Sequence, residues 1–191
     1  MRYMMKEQWK RTLRGALLGA ALLAMAGCGS TNVMDTYSFG HQVIRAGQSE
    51  ITIALPYEMG KSTKNMTDDG YPIDIYGSVT EHMVIEVEAL RAGVNKPLPT
   101  VDEQINRSKT EFANLGATIK EESVQLEGAT AKKLDVTYSA QGQTFSFSQY
   151  VFMDHDVLWN IVYQYPVQDQ VGADISKEIK DKIQVTQQKE G

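Results

Sequence analysis

Asp154-His155-Asp156 is the one place in the chain where an imidazole stands between two carboxylates, a combination that can hold a divalent metal or pass a proton. Three consecutive residues in a tight turn point in different directions, however, and Asp favours turns because its side chain bonds nearby backbone. The cluster therefore reads as a turn. His82 beside Glu81, and His41 in the first strand region, read as edge or core residues of strands. Tyr57, Lys61, Lys64, Asp68, Asp69 and Tyr71 fall in one stretch, Pro56 to Pro72, which has turn-forming residues and no apolar periodicity. That stretch is expected to be a long, mobile loop. The stripe Trp159, Tyr163 and Tyr165 could line a pocket, but alternation on a central strand predicts sheet core. The G-x-S-x-G elbow, the P-loop, H-E-x-x-H, C-x-x-C and G-x-G-x-x-G are all missing from the sequence after residue 28. The expectation is a non-enzymatic protein with no catalytic residues, metal or cofactor, and with ligand-binding residues that the sequence leaves unknown.

The remaining reactive group is Cys28, the only cysteine. It follows a basic stretch with Arg2, Lys6, Lys10, Arg11 and Arg14 and then an apolar run from Gly15 to Gly27. A charged segment leading into a short apolar one that ends in small residues is an export signal. The run is too short to span a bilayer, which takes about 20 apolar residues. Met25-Ala26-Gly27-Cys28 resembles the bacterial lipobox, with Met25 where Leu is more usual. The resemblance implies cleavage before Cys28 by signal peptidase II, with a diacylglycerol on the cysteine sulfur. Ala24-Met25-Ala26 also fits the A-x-A pattern of ordinary signal peptidase, which would release a chain starting at Gly27 with Cys28 as a free thiol.

The lipid reading divides the chain into a signal peptide (1–27), a lipidated tether (28–36) and one domain (37–191). The tether, small and polar over Gly29-Ser30-Thr31-Asn32, reaches about 25–30 Å at most. Without the signal the chain has 14 basic against 23 acidic residues, a formal net charge of −9. Such a surface argues against nucleic acid as a partner, because phosphate backbones need clustered Lys and Arg. It is also repelled by anionic headgroups, so the two or three acyl chains on Cys28, palmitate among them, must hold the protein to the membrane.

The elements that position these residues emerge from periodicity. Ile51 to Leu55 alternates up to Pro56 and predicts a strand after a turn at Ala46-Gly47-Gln48. Ile73 to Tyr76 and Met83 to Ala89 predict two more, the second with Met83, Ile85, Val87 and Ala89 buried and Glu86 and Glu88 wet. Thr100-Val101-Asp102-Glu103 is a capping box, and Val101, Ile105, Phe112 and Leu115, with Ser108 between, form the apolar stripe of a helix stopped at Gly116. From Ala117 a meander is expected, with turns at Ala140–Gln143 and Asp154–Asp156. Val171, Ile175, Ile179 and Ile183, spaced by four, predict a closing helix with Lys177, Lys180 and Lys182 near its negative end. This order gives an α+β fold, an antiparallel β-sheet with helices packed on it.

The strand ending at Pro56, the helix capped by Thr100, Gly128 to Tyr138, Tyr150-Val151-Phe152-Met153 and Leu158 to Tyr163 together resemble the PsbP/DcrB-like superfamily over residues 37–185. That resemblance implies an α-β-α sandwich and an accessory or binding role at membranes and complexes. It transfers no catalytic or metal-binding residue. The function expected is a lipid-anchored accessory protein on the cell or outer membrane, facing outside the cytoplasm and binding an envelope partner. The alternative is an envelope-exposed module for a small ligand or a metal.

Overall fold

The computed structural model describes residues 37–180 and 182–186. The segments expected to be a signal peptide and a tether, with Cys28, lie outside the described residues. The fold is α+β, built from two antiparallel sheets and two helices. β1 (Gly40–Ala46) and β2 (Ser49–Leu55) form a hairpin across Gly47, at φ +56°. A short β10 (Ile183–Val185) joins the other side of β2, with Ile183 opposite Ile53.

The larger sheet has seven strands in the order β3-β4-β5-β9-β8-β7-β6. These are β3 (Gly60–Lys61), β4 (Ile73–Val79), β5 (Val84–Arg91), β6 (Thr118–Leu126), β7 (Ala129–Ala140), β8 (Gln143–Asp154) and β9 (Val157–Pro166). The β7–β8 turn has Gln141 and Gly142 at φ +53° and +78°, the paired positive values of a tight hairpin that keeps the native sheet twist.

One helix lies on each face of this sheet. α1 (Val101–Ala113) begins as the capping box predicts: Thr100 Oγ1 accepts from the Glu103 amide at 3.1 Å, and Glu103 accepts from the Thr100 amide at 2.7 Å. Such a cap contributes about 1 kcal/mol. Ile105, Ser108 and Phe112 are buried, whereas Leu115, expected on the same stripe, lies beyond the helix and is 46% exposed. The chain has already turned there, since Gly116 at φ +67° and Ala117 donate back to Ala113 and Phe112 at 3.1 and 3.3 Å.

α2 (Gln170–Ile179) is shorter than its repeat suggests. Ile175 and Ile179 are fully buried, but Ile183 belongs to β10, because pairing with β2 gives its side chain the same core by another route. The strand is seated by Gly128, at φ +90° in the β6–β7 turn, where a Cβ would meet the Val185 carbonyl oxygen at 2.3 Å. Only glycine allows that approach.

Two cores result. The larger lies between the seven-stranded sheet and the layer made by the small sheet and α2, and holds Trp159, Tyr150, Phe152 and Tyr163. The smaller lies under α1 and holds Ile105, Phe112, Leu134, Val136 and Leu158. Sharing one layer between a helix and a second sheet goes beyond the single sheet expected. No helix among the described residues is long and apolar enough to cross a membrane.

Candidate functional site

A concave, charged feature lies on the larger-core side, where the small sheet and α2 leave β6, β7 and β8 uncovered. Alternation along β7 sends Leu134, Val136 and Tyr138 toward α1, and therefore Lys133, Asp135 and Thr137 to the opposite face. Ser146 and Ser148 of β8 extend this polar floor. One side of α2 forms the wall, since Ala173, Ser176, Lys177 and Lys180 recur at helical spacing. Lys120 and Thr118 of β6 and Tyr165 of β9 complete a groove of about 300 Å³.

Lys133 is the unusual member, a lysine only 7% exposed. It lies 3.0 Å from Asp135, 3.6 Å from Glu122 and 5.5 Å from the centre of the Tyr150 ring. Ser148 donates to Asp135 at 2.6 Å. Lys120 pairs with Glu122 at 2.7 Å, a bond that holds the Glu122 carboxyl below its ordinary range and raises the Lys120 ammonium. Among the described residues, Lys177 and Lys180 have no ion-pair partner, while Lys182 pairs with Glu178 at 3.2 Å. Sequence spacing alone presents Lys177, Lys180 and Lys182 only as partners of the helix dipole. The signal for the groove is present in β7, where the face opposite Leu134, Val136 and Tyr138 reads Lys, Asp, Thr.

A second polar cluster sits on the α1 side. Glu86 and Glu88 share that face of β5, and Glu88 accepts from Asn160 Nδ2 at 2.7 Å. Asn160 in turn accepts from Gln149 Nε2 at 2.8 Å. Burial pushes the Glu86 carboxyl up to about 7, with the Glu88 charge adding to the rise and Lys64 opposing it. Burial likewise raises Glu88, against the Asn160 hydrogen bond and the charges of Lys64 and Arg107. Both side chains are partly exposed rather than wet as the alternation suggested.

The other candidates have structural surroundings. His155 is in the β8–β9 turn at φ +52°, with Nδ1 3.2 Å from Asp154. The other Asp154 oxygen accepts from Ser49 Oγ, which accepts from Trp159 Nε1 at 2.8 Å. Asp154 thus belongs to a partly buried chain of bonds that reaches the core, and is more than a turn residue. His41 is exposed on β1. His82 Nδ1 lies 2.9 Å from Asp169, which caps α2 by accepting from the Gly172 amide at 2.9 Å. No three His, Cys, Asp or Glu among the described residues are grouped to hold a metal. Trp159 and Tyr163 are fully buried in the core, and Tyr165 borders the groove.

Pro56 to Pro72, expected to be mobile, is tied to its surroundings. Gln42 bonds both backbone groups of Met59 at 2.9 and 3.2 Å, Ser62 donates to Ile75 at 2.8 Å, and Ile73 donates to Asn65 at 3.1 Å. Tyr71 is buried, donates to the Pro97 carbonyl at 3.0 Å and lies 3.8 Å beneath the Lys96 ammonium. Backbone pairing and a buried tyrosine replace the periodicity the segment lacks.

No protein-family model matches the sequence, and a search of curated proteins finds no match. Among solved structures, LpqN of Mycobacterium tuberculosis, involved in cell envelope biogenesis, is 14% identical at a TM-score of 0.45, over 80% of this chain and 94% of that one. A Bacteroides thetaiotaomicron protein is 6% identical at 0.42, over 72% and 46%. Protein PA94 of Pseudomonas aeruginosa, of unknown function, is 12% identical at 0.40, over 72% and 91%. Likeness at these levels carries no argument about function.

Proposed function

We propose that this chain is a lipid-anchored, non-enzymatic accessory protein of the bacterial cell envelope. Cys28 holds it to the cell or outer membrane, and the folded part, facing away from the cytoplasm, binds an envelope partner. The carrying observation is the lone cysteine closing a basic and then apolar segment that ends in small residues. Tyr37, at the start of the described residues, packs its ring on Tyr57 at 5.6 Å, and a chain of nine residues from Cys28 would keep it within about 30 Å of the bilayer. The PsbP/DcrB-like pattern supports the same accessory role.

Replacing Cys28 tests this directly. Cys28→Ser should abolish labelling by a fatty-acid analogue and release the protein from membranes. Unlabelled protein that stays on membranes would overturn the anchor, and a mature chain beginning at an unmodified Gly27 would point to ordinary signal peptidase. The groove beside α2 favours a second reading, a small-ligand module. The two are compatible, since an anchored accessory protein can carry a ligand site.

A further inference from the structure

We propose that the groove between α2 and the β6–β8 floor binds a small phosphate ester. The proposal rests on the ligand-module reading and is independent of the anchor. A chain of net charge −5 lines this one concavity with four lysines and the carboxylate of Asp135, and Glu122 beside it pairs with Lys120 and Lys133. Asp135 is already engaged by Lys133 and by the Ser148 hydroxyl, so the floor has no free carboxylate to repel an anion. Lys177 and Lys180, without ion-pair partners among the described residues, supply the surplus positive charge.

The helix dipole alone explains lysines near the end of α2, but it places no demand on which way they face. Here both share the side of α2 that carries Ala173 and Ser176, small residues that leave the groove open. The lining sets the ligand chemistry. Lysine ammonium groups meet phosphate oxygens as point charges, and the groove supplies several of them with no arginine fork among its lining. The hydroxyls of Thr137, Ser146 and Ser176 suit a polyol attached to that phosphate. A volume of about 300 Å³ takes a small molecule or a headgroup.

Titration calorimetry on the full chain in non-ionic detergent, at low and high salt, tests this with four probes. They are glycerol phosphate, short-chain dihexanoylphosphatidylglycerol, inorganic phosphate and glycerol. Both esters should bind, more weakly at high salt, and glycerol should not. The double variant Lys177→Gln, Lys180→Gln should weaken ester binding about tenfold or more, while Lys96→Gln, away from the groove, should leave it unchanged. Tighter binding of glycerol phosphate would assign a free phosphate ester, and tighter binding of the phosphatidylglycerol a lipid headgroup. No heat from either ester, or binding unaffected by the double variant, would overturn the proposal. So would inorganic phosphate binding as tightly as both esters, since the hydroxyl walls would then contribute nothing. None of these results depends on Cys28 labelling, so the two proposals fail separately.

Discussion

The two faces of the seven-stranded sheet each carry a polar cluster, and they handle charge in opposite ways. On the α1 side, Glu86 and Glu88 sit together, and the nearest formal charges, Lys64 and Arg107, act on them through space rather than by a salt bridge. The carboxyls respond by holding their protons more tightly, the cheaper course for a partly buried acid without a contacting cation. On the α2 side, Lys133 is more deeply buried but touches two carboxylates, so the charge is matched within the site. The lesson is that burial sets the cost of a charge, and the partner decides whether protonation changes to avoid it.

The largest expected effect concerns the apolar layer under α1, on the same side of the sheet as the acidic cluster. Phe112 is 6% exposed and packs on Tyr138 and Phe147 at 5.2 and 4.7 Å. Phe112→Ala should cost about 3–5 kcal/mol in urea unfolding. A loss below about 1 kcal/mol would mean that α1 does not form a packed layer, and the α1 face would then be open to water.

Lys133→Met comes next, keeping volume while removing the ammonium that Asp135 and Glu122 share. Both carboxylates retain solvent access, so we expect a loss of about 1–3 kcal/mol rather than the larger cost of a fully buried orphan charge. An unchanged midpoint would erase the contrast between the two faces.

The smallest effect is a slope. Glu86, raised from 4.5 to about 7, keeps a proton in the folded chain that the unfolded chain releases. Its contribution is therefore complete below about pH 4.5 and is lost as pH rises toward 7. Melts across that window should show stability falling with pH, and Glu86→Gln should flatten the fall, leaving the part due to Glu88. Carboxyls held low by hydrogen bonds to partners, such as Glu103 by Thr100 and Glu121 by Lys109, act in the reverse sense and lose their contribution as pH drops below 4.5. An identical pH profile in the variant would place Glu86 in water.

These contrasts also explain what the sequence could reveal. The capped start of α1 was legible because Thr100 and Glu103 are three residues apart and satisfy each other without help from elsewhere. The meander was legible because Leu134, Val136 and Tyr138 alternate within one strand. Ile183 was misread because a spacing of four continues the α2 stripe, and only its distant partner Ile53 decides otherwise. The acidic face of β5 was only half legible for a related reason: alternation says that two faces differ, but not how far the charged one is exposed. The groove was harder still, since it joins Lys133 to Lys177 across a contact that no local pattern encodes.

The bond from Trp159 to Ser49 has a practical side. The chain has two tryptophans, Trp9 and Trp159, and cleavage before Cys28, as proposed, would leave a single indole, fully enclosed and hydrogen-bonded to a serine. Its emission should be short-wavelength when folded and shift red on denaturation, reporting the joint between the two sheets with no added label. Ser49→Ala would remove the acceptor and leave the ring enclosed, so a small spectral change without unfolding would read out that one bond.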